Sequence, residues 1–141
     1  MKGIPKRQTA MKTKNIKQNI IIKAAPREIY ETLMDSKKHS EFTGGEAKIN
    51  PKVGGKFTAY DGYAEGKNLE LAPDKKIIQS WRASDWPEGH FSTVTFLLKK
   101  NGKGSTKLEF SQKEIPREFT KDISDGWKEY YWKPIKKMLE K

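Results

Sequence analysis

Apolar and polar positions change period three times along the chain, and each change marks an element. Residues 16–24 are a short β-branched run around Ile20-Ile21-Ile22, which reads as a first strand. Pro26 suits a first helical turn, and Ile29, Tyr30, Leu33 and Met34 then recur at helical spacing. Ser36 is positioned to cap a second short helix over residues 37–42, which ends at Gly44-Gly45. From there to residue 114 the turn signals Gly54-Gly55, Asp61-Gly62, Ala72-Pro73-Asp74 and Asn101-Gly102 separate strand-length runs. The runs cover 46–50, 55–60, 63–71, 75–83, 91–99 and 105–113. Ile77, Gln79, Trp81 and Ala83 share one strand face, as do Val94, Phe96 and Leu98, and Leu108 and Phe110. Strands this closely spaced connect most simply as a meander of hairpins.

The last segment returns to helical period. Ile123, Trp127, Tyr130, Tyr131, Ile135, Met138 and Leu139 form an apolar stripe, with Lys136, Lys137 and Lys141 near the C-terminal end, where cations suit the helix dipole. Pro134 has no amide proton for the carbonyl of Tyr130, so a kink is expected there. The order β-αα-ββββββ-α predicts an α+β fold. About seven antiparallel strands curl around the one long amphipathic helix available to cover their apolar face.

Composition sharpens this picture. The chain has 141 residues, 34% of them hydrophobic, and 4 Trp, 5 Tyr and 6 Phe supply the large side chains for a core. Cysteine is absent, which excludes disulfides, a thiolate nucleophile and Cys-based zinc sites. No apolar run approaches the ~20 residues that span a bilayer, so a cytoplasmic location without membrane contact is expected. The net charge of +11 is unevenly placed. Residues 1–23 carry seven of the 29 basic residues and no acid, so most of the excess sits on the N-terminal stretch. We expect residues 1–15 to be a basic, solvated arm and residues 16–141 to be a single domain. No recognition-helix, RNA-binding or zinc-finger pattern accompanies the arm, so no specific nucleic-acid partner is expected.

The blocks Gly54-Gly55-Lys56-Phe57, Asp61-Gly62, Trp81-Arg82 and Trp86-Pro87-Glu88-Gly89-His90-Phe91 resemble the C-terminal domain of the activator of heat-shock protein 90 ATPase. So do Ile115-Pro116, Gly126-Trp127, Tyr130-Tyr131 and Ile135-Lys136, at matching spacing over residues 16–140. The resemblance implies the helix-grip fold of the START/birch-pollen-allergen superfamily. It also implies a cytoplasmic, stress-response co-chaperone that binds heat-shock protein 90 and stimulates its ATPase. The alternative it implies is binding of a hydrophobic, lipid-like small molecule between sheet and long helix. The co-chaperones of this family carry an additional N-terminal domain; the stretch before residue 16 is too short for one.

Two residue sets carry these alternatives. Phe57, Trp81, Phe96 and Phe110 on the inner sheet face would oppose Trp127, Tyr130 and Tyr131 on the helix, lining either a ligand cavity or an ordinary packed core. Trp86, Glu88 and His90 lie in a Pro-Glu-Gly segment that reads either as a hairpin turn or as an exposed recognition loop anchored by Trp86. Catalysis has little to rest on. His39 and His90 are the two histidines, and no Ser or carboxylate is spaced to form a triad with either. No enzymatic activity, cofactor or metal site is expected.

Overall fold

Alternation along the predicted runs pairs them into one antiparallel sheet. A computed structural model describes residues 12–140. It opens with β1 (Thr13–Ile22), α1 (Pro26–Met34) and α2 (Ser36–Thr43). The meander follows as β2 (Lys48–Ile49), β3 (Lys56–Ala59), β4 (Ala64–Ala72), β5 (Lys76–Ala83), β6 (Ser92–Lys100) and β7 (Thr106–Pro116). Strand order is β1-β7-β6-β5-β4-β3-β2, so the first strand closes against the last. Register shifts between Lys14 and Ile16 and between Asn68 and Glu70 mark bulges, which add to the curl of the sheet.

Gly66 on β4 is a position that only glycine fits. It lies opposite Phe57 on β3 and Trp81 on β5. A Cβ there would overlap the Ser80 carbonyl oxygen and sit 2.9 Å from the Phe57 ring. Its missing side chain is what lets two aromatic rings flank one strand on the inner face.

The helical pair is capped as chemistry rather than position dictates. Glu28 accepts from the Ala25 amide at 3.1 Å ahead of Pro26. Asp35, not Ser36, caps α2, its carboxylate accepting from the Lys38 amide at 2.9 Å. The Ser36 hydroxyl instead accepts from the Ile49 amide at 2.8 Å and ties α2 to β2.

Two further differences from expectation concern the ends. β1 begins at Thr13, because β7 extends to Pro116 and offers partners for Thr13 and Lys14. Residues 13–15 are therefore strand rather than arm, and residues 1–11 of that arm lie outside the described residues. At the other end a short 3₁₀ turn (Arg117–Phe119) leads into α3 (Thr120–Trp127), a π-helical turn (Lys128–Trp132) and α4 (Lys133–Leu139). The irregularity expected at Pro134 takes the form of this π turn. The Lys133 amide reaches back five residues to the Lys128 carbonyl, one residue beyond the α-helical partner. The inserted residue rotates the face: Trp132 turns inward to 4% exposure and Tyr130 turns outward to 59%.

Candidate functional site

The inner sheet face and the C-terminal helix meet through aromatic rings. Phe110 lies 4.5 Å from Trp127 and 5.3 Å from Phe96, centroid to centroid. Trp127 also meets Tyr131 at 4.5 Å and stacks on Trp132 at 5.7 Å. Each indole is anchored. Trp127 Nε1 donates to Gln112 Oε1 at 2.7 Å, Gln112 Nε2 donates to the Ser92 hydroxyl, and that hydroxyl donates to the Trp81 carbonyl. Trp132 Nε1 donates to Gln18 Oε1 at 2.6 Å. The side-chain amides of Gln112 and Gln18 thus satisfy these two indole N–H groups.

This contact leaves almost no room in the middle. The space bounded by Phe57, Phe96, Trp81, Trp127 and Tyr131 is about 10 Å³, at the threshold for a single water. Of the residues expected to line a cavity, Phe57, Phe96 and Phe110 belong to the packed core. The Phe96 and Phe110 rings pack on Trp127 of the helix, so of the two readings the packed core holds at their level.

Open space lies at one end of the interface instead. A cleft of about 610 Å³ is bounded by Tyr60, Tyr63, Ala64 and Trp81 on the sheet side. The helix side supplies Ile123, Gly126, Trp127, Tyr130 and Tyr131, with Asp122, Asp125 and Glu129 along the rim. Trp81, Trp127, Tyr130 and Tyr131 from the predicted set reach this cleft. Tyr60, Tyr63 and the three carboxylates were missed. Spacing of three and four residues from Asp122 to Asp125 to Glu129 is a face signal present in the sequence. Tyr60 gave no such signal, because it reaches the cleft from a turn.

That turn is locally strained. Tyr60 and Asp61 both have positive φ, 52° and 57°, ahead of Gly62 at 94°. An aromatic residue in this region is uncommon, and its surroundings hold it there. The Asp61 carboxylate accepts from the Glu46 amide at 2.8 Å, and the Asp61 amide donates to the Glu46 carbonyl at 3.0 Å. The Tyr60 hydroxyl donates to the Tyr130 carbonyl at 2.9 Å. Burial, with Tyr130 beside it, pushes the Tyr60 phenol up to about 12. Tyr63 is also raised, by burial first and then by the charges of Asp85 and Asp122.

Behind the cleft, Tyr131 makes a second polar contact. His39 Nδ1 donates to the Leu33 carbonyl at 3.0 Å, which leaves Nε2 to accept from the Tyr131 hydroxyl at 2.8 Å. Burial lowers the His39 pKa and raises that of Tyr131, so both groups are held neutral. His39 had looked isolated because its partner is 92 residues away.

The Trp86–Phe91 segment is a braced turn. Trp86 is 4% exposed and packs on Trp81, His90 and Phe119, so its expected role as an exposed anchor is corrected. Arg82 holds the segment by donating to the Trp86 carbonyl at 2.9 Å and the Pro87 carbonyl at 3.3 Å. His90 is half-buried, with Nε2 donating to the Glu114 carbonyl at 2.7 Å, and Glu88 is exposed. Trp86 Nε1 is buried without a hydrogen-bond partner. No helix among the described residues is long and apolar enough to cross a membrane.

Comparison with known proteins gives a consistent picture. The sequence pattern described as activator of Hsp90 ATPase homolog 1-like protein matches residues 23–140. The activator of 90 kDa heat shock protein ATPase homolog 1 of Homo sapiens is 35% identical over 113 residues, covering 79% of this chain and 33% of the relative. The Dictyostelium discoideum activator homolog is 33% identical over 116 residues, covering 82% and 30%. The chain thus spans about a third of the length of these curated relatives. Among solved structures, an HSP90 activator from Plasmodium falciparum superposes with a TM-score of 0.83 at 23% identity, covering 88% of this chain and 94% of that one. The Aha1 dimer from Colwellia psychrerythraea gives 0.76 at 22% identity, covering 90% and 96%. At these identities the structural likeness speaks for the fold.

Proposed function

This chain belongs to the family of activator of Hsp90 ATPase homolog 1-like proteins, and from that premise we propose that it is a non-enzymatic, co-chaperone-like domain that binds Hsp90 and raises its ATPase rate. The observation carrying this reading is the 35% identity to the human activator across 79% of the chain. The packed interior agrees with it, since a closed core leaves the surface as the place where a partner is met. In the Trp86–Phe91 turn, Pro87, Glu88 and Phe91 are the exposed side chains available to that partner. The test is direct: titrate the chain into Hsp90 from the same organism and follow ATP turnover. A dose-dependent rise is expected. Absence of both binding and rate change at high micromolar concentration refutes the reading.

A second reading, capture of a small apolar molecule, is favoured by the cleft of about 610 Å³, a size within the ~300–1,000 Å³ range of ligand pockets. The ligand then sits at the end of the sheet–helix interface rather than in its middle. Native mass spectrometry of freshly purified protein, with quenching of Trp81 and Trp127 by lipophilic probes, tests it. Absence of both a retained mass and quenching refutes it.

A further inference from the structure

The cleft differs from the rest of this molecule in charge. The chain carries 29 basic residues and a net charge of +11, yet no Lys or Arg lines the cleft, and Asp122, Asp125 and Glu129 do. Asp125 and Glu129 pair with Lys121 at 2.8 Å and Lys133 at 2.6 Å, but those lysines are 87% and 68% exposed. Such surface i,i+4 pairs are weak and readily exchanged for a better partner. Asp122 makes no ion pair among the described residues. The field of Asp122 is already felt across the cleft at the Tyr63 hydroxyl.

The walls complement the rim. Tyr60, Tyr63 and Trp81 from the sheet side face Trp127 and Tyr130 from the helix, and the two most open of these, Tyr130 and Tyr63, are 59% and 42% exposed. Aromatic faces attract a cation through the ring quadrupole, most strongly where water is partly excluded.

Gly126 is a third, independent feature. It sits within α3, where glycine is unfavourable relative to alanine because it gives up more backbone freedom on folding. Nothing in the fold demands it: a Cβ would come no nearer than 3.8 Å to the Tyr130 ring, an ordinary contact. What the missing side chain does is keep the helix backbone open to the cleft that Gly126 lines.

We propose that this cleft binds a small organic cation, an ammonium-type head on an apolar body, with the head among Asp122, Asp125 and Glu129 and the body against the aromatic walls and Gly126. The inference rests on the small-molecule reading of the cleft and gives that ligand its charge.

The test compares benzyltrimethylammonium with neopentylbenzene, its uncharged carbon isostere, by tryptophan quenching and chemical-shift mapping on the intact chain. The cation is expected to bind about three- to thirtyfold more tightly at low salt, a preference that shrinks as ionic strength rises. Combining Asp122→Asn, Asp125→Asn and Glu129→Gln is expected to abolish the preference while leaving the isostere's affinity unchanged. Gly126→Leu is expected to abolish binding of both probes with an unchanged or raised melting temperature, and Gly126→Ala to weaken it. Equal affinity for cation and isostere overturns the proposal and leaves the small-molecule reading standing. Binding of neither overturns both. Full binding by Gly126→Leu, or capture of basic peptides with no affinity for the small cation, overturns the proposal as well.

Discussion

The hydroxyl of Tyr60 donates to the backbone carbonyl of Tyr130 at 2.9 Å, the carbonyl whose α-helical partner would be the amide that Pro134 lacks. A strained turn of the sheet thereby serves a defect in the helix. The two rings also meet edge to face at 5.8 Å. One relationship joins the positive φ of Tyr60, the π turn and the mouth of the cleft.

Tyr60→Phe keeps the ring contacts and removes only that donor, so it should cost about 1 kcal/mol of stability. The cost should be smaller in a Pro134→Ala background, where an amide becomes available to the helix. Urea unfolding of the two single variants and the double variant measures the coupling. Strict additivity would show that the carbonyl does not depend on Tyr60.

Much of this fold was legible because burial is one-sided. Along β5, along β6 as far as Leu98 and along β7 as far as Gln112, every second residue is buried, so period-two alternation named Ile77, Trp81, Val94, Phe96, Leu108 and Phe110 correctly as inner-face residues. Pro134 announced an irregularity, but the Tyr130 carbonyl it leaves without an amide is served by Tyr60, 70 positions from Tyr130, and no local pattern reports that. Trp132 was missed as a core residue, and Tyr130 reaches the cleft from an exposed position, for the same reason: a regular helical period was assumed where the π turn adds a residue. Trp86 looked like a loop anchor because Phe119, which helps cover it, is brought there only by the closure of the sheet onto the helix. The cleft was half legible, its aromatic helix face visible in spacing and its sheet-side wall hidden in a turn.

Two tryptophans of equal burial should respond differently to the same change. Trp127→Phe removes the donor to Gln112 and leaves a buried acceptor unpaired, adding about 1–3 kcal/mol to the loss of ring area. Trp86→Phe removes an indole N–H that has no partner, so it should cost less than Trp127→Phe by about that amount. Truncation to Ala at either position should cost about 3–5 kcal/mol. Chemical denaturation of the four variants checks the order, and equal costs for the two Phe variants would contradict it.

Gly66→Ala should be among the most damaging single-atom additions to the chain. Its new methyl would overlap the Ser80 carbonyl, which is backbone, and crowd Phe57. Relief requires separating β4 from β5, so a loss of at least about 3 kcal/mol is expected, comparable to severe overpacking. Gly126→Ala, with only an ordinary contact at 3.8 Å, should instead gain up to about 1 kcal/mol. Thermal melts of the pair separate a glycine kept for packing from one kept open for the cleft.

His39 makes stability depend on pH in a definite direction. In the folded chain it is neutral, with Nδ1–H on the Leu33 carbonyl and Nε2 accepting from the Tyr131 hydroxyl, and burial lowers its pKa below 6.5. The unfolded chain takes up a proton near pH 6.5 that the folded chain refuses. This contribution to stability is therefore fully present above about pH 6.5 and lost as pH falls from there through the lowered folded-state value. The slope approaches about 1.4 kcal/mol per pH unit inside that window. His39→Gln keeps polar atoms near Tyr131 but does not titrate, so its urea midpoint should vary less between pH 7.5 and about pH 5 than that of the parent chain. The half-buried carboxylates of Glu31 and Glu109, lowered by hydrogen bonds from Lys38 and Lys99, act in the same direction but nearer pH 4. Parallel pH profiles for parent and His39→Gln between pH 5 and pH 7 would show that His39 is not held neutral by its burial.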